Sequence, residues 1–129
     1  MASGAHSGRI RVLVVEDDAL ALEALAYALK AEGYSVACAP DGRKGLDLLH
    51  GSPPPRAVLL DLGLPIVDGH EFLRQQKKDP KVADIPVIVM TGGLSPVVPQ
   101  AKAVLQKPFD LARLFGVLSE CCNAHGAGS

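Results

Sequence analysis

Ala57-Val58-Leu59-Leu60-Asp61 is an unbroken apolar run that ends on a carboxylate. A run without polar alternation suits a central parallel strand buried on both faces, and it leaves Asp61 at that strand's C-terminal end. Pro53, Pro54 and Pro55 forbid regular structure just before it. Upstream, Ile10 to Val15 is a β-branched run closed by Glu16, Asp17 and Asp18. Leu22, Leu25 and Leu29 then recur at helical spacing within Ala19 to Glu32, and Gly33 follows as a C-cap. Tyr34 to Ala39 reads as a second strand, and Pro40, Asp41 and Gly42 turn into a helix ending near His50 and Gly51. Downstream of Asp61, Asp68 and Gly69 open a third helix, roughly Gly69 to Lys78. Pro80 and Pro86 then break the chain before the strand Val87 to Met90, which Thr91 closes. Ala103 to Leu105 is a short fifth strand, and Phe109 to about Cys122 carries the Leu111, Leu114, Phe115, Leu118 spacing of an amphipathic helix, with Asn123 to Ser129 frayed. Strands alternating with helices predict an α/β fold, a parallel sheet covered on both faces.

The length of 129 residues suits one domain, which buries roughly two-thirds of the surface its unfolded chain exposes. Apolar residues at 48% and charged residues at 21% give a globular balance. The 13 basic residues nearly match the 14 acidic ones and are spread along the chain, which argues against nucleic-acid binding. No apolar run approaches the roughly 20 residues of a membrane-spanning helix, and Met1 to Gly8 lacks the apolar core of a signal peptide, so a cytoplasmic protein is expected. Cys38, Cys121 and Cys122 fit neither a disulfide framework nor a metal spacing. His6, His50, His70 and His125 are scattered, with no neighbour that suggests a triad or a zinc site.

Asp17, Asp18, Asp61, Thr91 and Lys107 all fall at C-terminal ends of predicted strands, the edge of an open parallel sheet where sites form. Taken singly each has an ordinary explanation: the acids as helix caps, Thr91 as a turn former, Lys107 as a solvated charge. Gathered in one crevice, three carboxylates repel one another unless a cation sits among them. Magnesium suits few carboxylates, several waters and a phosphate oxygen. Lys107 adds a second positive charge, so that an Asp61 carboxylate attacking phosphorus in line would find the phosphoryl oxygens neutralised, with Thr91 in hydrogen-bond reach.

Four motifs, in order, resemble the receiver domains of bacterial two-component response regulators. They are Val14-Val15-Glu16-Asp17-Asp18, Leu59-Leu60-Asp61-Leu62-Gly63-Leu64-Pro65-Ile66-Val67-Asp68-Gly69, Val89-Met90-Thr91 and Gln106-Lys107-Pro108-Phe109. The resemblance runs from about Arg9 to Glu120. It implies a doubly wound, flavodoxin-like five-stranded parallel sheet of order 2-1-3-4-5, with a receiver domain over 9–122 between a disordered segment 1–8 and a tail 123–129. It implies Asp61 as phosphoacceptor and Asp17 and Asp18 as the metal-binding acids, Asp18 directly and Asp17 partly through water. The Gly63 backbone carbonyl completes the metal shell. Thr91, with Gly92 beside it, and Lys107 form the phosphate-binding and switch set, and Pro108 follows a cis peptide. The implied ion is magnesium, with manganese as an alternative. The implied partners are a sensor histidine kinase or histidine phosphotransfer protein and a downstream protein, the chain itself being a monomer or weak dimer.

Two departures stand out. The interval from Thr91 to Lys107, with Gly92, Gly93, Pro96 and Pro99, is too short for a full fourth helix and resembles stand-alone receivers with Thr-Gly after the fourth strand and a short or irregular fourth helix. Val104 occupies the switch position where the family commonly has an aromatic residue, so the switch is expected to act by ordering or shifting the Gly92 to Lys102 loop. Gly63 and Gly93 offer no side chain to steer water at a phosphoaspartate. A phosphorylation-independent interaction adaptor on the same scaffold is the competing reading. A phosphatase is the weaker one, because Gly63 stands where a second aspartate would be needed. With no output domain after the last helix, the output is expected to be a protein contact, unless the chain is a piece of a larger regulator or hybrid kinase.

Overall fold

The computed structural model describes residues 9–64, 66–93 and 97–127. The expected disordered segment 1–8, the last two residues of the expected tail and Pro96 of the short interval lie outside them. The elements run β1 (Arg11–Val15), α1 (Ala19–Ala31), β2 (Ser35–Ala39), α2 (Gly42–Leu49), β3 (Ala57–Asp61), α3 (Gly69–Lys78), β4 (Val87–Thr91), β5 (Ala103–Gln106) and α4 (Leu111–Ala127). All neighbouring strands pair in parallel, in the order β2-β1-β3-β4-β5. This is the doubly wound, flavodoxin-like arrangement implied above.

The alternation of side chains along each strand sorts the apolar residues into two cores. Leu13, Val15, Val58, Leu60 and Val89 face α2 and α3, where Leu49, Phe72 and Leu73 meet them. Val12, Val14, Leu59, Ile88 and Met90 face α1 and α4, against Leu25, Leu29, Leu114 and Leu118. Both faces of β1, β3 and β4 are therefore apolar, and all their residues from Val12 to Val15, Ala57 to Leu60 and Val87 to Met90 are fully buried. The wholly apolar reading of Ala57 to Leu60 is the consequence of that burial.

Aspartates start the helices that leave the sheet's C-terminal edge. Asp18 accepts from Leu20 and Ala21 N–H, Asp41 from Lys44 N–H and Asp68 from Glu71 N–H, each satisfying donors that a helix start leaves unpaired. α1 ends as expected at Gly33, whose φ of 104° lies in the left-handed region. Gly69 is required by space, because a Cβ there would stand 2.6 Å from Leu62 Cα. The start of α3 can thus press against the residue that follows Asp61.

The stretch between β4 and β5 holds no helix among the described residues; it turns at Pro99 and Gln100. Val98 is buried there and packs, with Ala101 and Val104, onto the α2/α3 side of the sheet, so an apolar loop covers part of that face. The last helix differs from expectation at both ends. It starts at Leu111, since Pro108 precedes it and Asp110 caps it through Ala112 N–H (3.0 Å), and its backbone stays helical past Cys122 to Ala127. Among the described residues no helix is long and apolar enough to cross a membrane.

Candidate functional site

The strands end on the residues that matter. Asp61 is the last ladder residue of β3, opposite Met90, and Thr91 is the last of β4, opposite Gln106. Lys107 follows β5 directly, its N–H donating to Thr91 O at 2.7 Å, and the Lys107–Pro108 peptide is cis. Glu16 still belongs to the sheet edge, because its N–H donates to Ala39 O at 3.0 Å.

Glu16 is the residue that sequence reasoning passed over. Its side chain is 1% exposed and both oxygens are engaged: Lys107 Nζ donates to Oε1 at 2.7 Å and Asp18 N–H donates to Oε2 at 3.2 Å. Carboxylate oxygens of Glu16, Asp17 and Asp61 lie within 4.8 Å of one another. Asp18, expected as the direct metal ligand, is not in this group. It is the N-cap of α1, in extended conformation (φ −77°, ψ 112°), and its Oδ1 is taken by Leu20 N–H at 3.0 Å and Ala21 N–H at 3.4 Å. The physical reason is the position of the helix start: with α1 beginning at Ala19, the residue before it must turn its carboxylate to the free N–H groups. The signal available in the sequence was the helix-cap explanation of the acids; three consecutive carboxylates do not by themselves show which one it takes.

Lys107 Nζ lies 3.7 Å from Asp61 Oδ2, and Gly63 N–H donates to Asp61 Oδ1 at 3.1 Å. Asp61 therefore sits between a cation and a backbone donor. Thr91 is nearly buried, and its Oγ1 accepts from Gly93 N–H at 3.3 Å. Burial pushes the Glu16 carboxyl up from its ordinary range; the Lys107 hydrogen bond opposes this and the Asp61 charge adds to it. Burial alone would lower Lys107, but its bond to Glu16 and the charges of Asp61 and Glu16 outweigh that and raise it. The ammonium is thus held charged beside a crowded set of anions.

The donor set suits a hard cation. It is all oxygen, it gathers three carboxylates at one crevice, and Glu16 is disfavoured as an anion without further positive charge. Beside Lys107 opens a cleft of about 590 Å³ lined by Ala21, Leu25, Phe109 and Leu111. Leu111, which lines the cleft, is an exposed apolar residue, as are Leu20 and Ile66 in the segments that follow β1 and β3.

The response regulator receiver domain model matches residues 12–119. Response regulator MprA of Mycolicibacterium vanbaalenii is 37% identical over 129 residues, covering 92% of this chain and 54% of that protein. MprA of Mycobacterium sp. (strain KMS) is 42% identical over 82 residues, covering 64% of this chain and 34% of its own length; the chain spans about half or less of these relatives. Among solved structures, a CheY-like receiver domain protein from Methanospirillum hungatei superposes with a TM-score of 0.80 at 24% identity, over 95% of this chain and 100% of its own. The receiver domain of sensor histidine kinase PA1611 from Pseudomonas aeruginosa, solved with a magnesium ion coordinated in its active site cleft, gives 0.80 at 22% identity over 90% of this chain and 99% of its own. At those identities the structures speak for the fold, and the sequence match carries the family: the chain belongs to the response regulator receiver domains.

Proposed function

We propose that this receiver domain accepts a phosphoryl group on Asp61 from the phosphohistidine of a sensor histidine kinase or histidine phosphotransfer protein. The observation that carries this is the Asp61 carboxylate at the end of β3, 3.7 Å from the Lys107 ammonium and grouped with Glu16 and Asp17. An Asp61 oxygen attacks phosphorus, the phosphorus–nitrogen bond to the donor imidazole breaks, and the imidazole leaves with the electron pair and takes a proton. Lys107 stabilises charge on the equatorial oxygens, and Thr91 and the Gly92 N–H bind the transferred group. Glu16, Asp17 and Asp61, with the Gly63 carbonyl, would hold magnesium or manganese, which when bound neutralises phosphoryl and carboxylate charge.

The apolar residues Ala21, Leu25, Phe109 and Leu111 lining the cleft beside Lys107 support a protein donor, since a small phosphodonor needs no such surface. Gly63 and Gly93 bring no acid, amide or base of their own to the acyl phosphate product, which supports a self-limited switch that signals through contacts with a downstream protein. A cytoplasmic location is consistent with such a donor. The test is intact-mass measurement after incubation with acetyl phosphate and magnesium. One phosphate adduct is expected in the wild type and none in Asp61→Asn or with EDTA; absence of both adduct and metal binding would leave the phosphorylation-independent adaptor.

A further inference from the structure

Thr91 and Lys107 are joined by a ring of bonds that runs through a residue with no role assigned above. Lys107 N–H donates to Thr91 O (2.7 Å), Gly93 N–H donates to Thr91 Oγ1 (3.3 Å), and Gln106 Nε2 donates to Gly93 O (2.9 Å). Gln106 is the register partner of Thr91, so its side chain spans from the end of β5 to the turn that follows β4. The turn it holds is Gly92-Gly93. A Cβ at either glycine would meet nothing within 4 Å, and neither φ lies in the left-handed region. Neither space nor backbone geometry demands glycine there; what two glycines bring is a loose backbone. Since Thr91 Oγ1 accepts from Gly93, its own proton remains available to a group on Asp61.

We propose that Gln106 is a positioning residue for phosphoryl binding: its amide holds the Gly92-Gly93 turn so that the Thr91 hydroxyl and the Gly92 N–H meet the phosphoryl group already ordered. The proposal rests on the phosphoacceptor reading. Without the Gln106 bond the turn must be ordered when the phosphoryl group arrives, and that entropy is subtracted from binding. The Gln106–Gly93 bond ends on the turn that follows β4, while the carboxylates that would hold the metal are those of Glu16, Asp17 and Asp61, so the bond is expected to act on the anion and not on the metal.

Gln106→Met keeps the length of an exposed side chain and removes the donor. The full chain is titrated with magnesium and then, at saturating magnesium, with fluoroberyllate as a phosphoryl mimic, with backbone amide NMR as readout. Gln106→Met is expected to weaken fluoroberyllate binding about threefold to tenfold, the worth of one neutral hydrogen bond, with magnesium affinity and melting temperature unchanged. Adding Gly93→Ala, which fits the open space and stiffens the turn, is expected to recover most of the loss. Wild-type fluoroberyllate affinity in Gln106→Met, a matching loss of magnesium affinity, or a deficit that Gly93→Ala does not recover overturns the proposal. A wild type that binds magnesium but no fluoroberyllate fails the phosphoacceptor reading itself, and the proposal with it.

Discussion

The consecutive acids Glu16, Asp17 and Asp18 divide between two jobs according to where α1 begins. Asp18 caps the helix, while Glu16 and Asp17 stay with Asp61. Asp18→Ala is expected to lower stability by about 0.5–2 kcal/mol and to leave magnesium affinity near wild type. Glu16→Gln is expected to weaken magnesium by about 10–100-fold, the range seen when groups around a metal site are altered. Paired urea melts and magnesium titrations check both, and a larger metal defect from Asp18→Ala would restore it as a ligand. Ile66 is the other residue whose local conformation matters. It is a β-branched side chain at φ 68°, left-handed backbone that costs an L-residue about 1–2 kcal/mol, and it is 81% exposed. Ile66→Asn loses almost no buried surface and tolerates that φ better, so a higher denaturation midpoint is expected; a lower one would mean that Ile66 makes contacts worth more than the strain.

At the scale of elements, α3 shows how surface chemistry supports the segment that abuts Asp61. Glu71 in its first turn receives Arg74 Nε at 2.8 Å and Gln75 Nε2 at 2.8 Å, and these bonds, Arg74 first, pull its carboxyl from 4.5 to about 2. A depressed carboxyl contributes stability above its ordinary value and loses it as pH falls through the folded value. The wild type should therefore exceed Glu71→Gln in stability at neutral pH, with the gap closing between pH 4.5 and about 2; a gap independent of pH would assign the effect to something other than charge. Buried Gln76 anchors the far end of the helix, donating to Val82 O at 2.8 Å and Ile85 O at 3.0 Å, so the turn containing Pro80 is tied to α3. Element type was legible wherever an apolar period was long. Helix ends were less so: terminal residues are often poorly ordered, which argued for fraying over Asn123 to Ser129, where the backbone of α4 in fact continues to Ala127.

For the molecule as a whole, alternation of strands and helices predicted a parallel sheet, but strand order followed from the family resemblance, because apolar strands such as β1, β3 and β4 carry no pairing code in their own side chains. The site was legible for a topological reason. Parallel strands place their C-terminal ends on one edge, so Asp61, Thr91 and Lys107, each at or just after a strand end, had to fall near one another. What stayed hidden were contacts set by side-chain reach: the buried pairing of Glu16 with Lys107 across 91 residues, and Gln106 on Gly93 across the β4–β5 loop. Among the acids gathered here, Asp61 is the proposed nucleophile. The most direct test is to treat the protein with acetyl phosphate and magnesium, reduce it with borohydride, which converts an aspartyl phosphate to homoserine, and sequence the peptides by mass spectrometry. Homoserine at position 61 alone is the predicted result; homoserine at the Asp17 or Asp18 position, 5-hydroxynorvaline (the reduced glutamyl phosphate) at the Glu16 position, or an unmodified Asp61 in protein that carries the adduct, would contradict it.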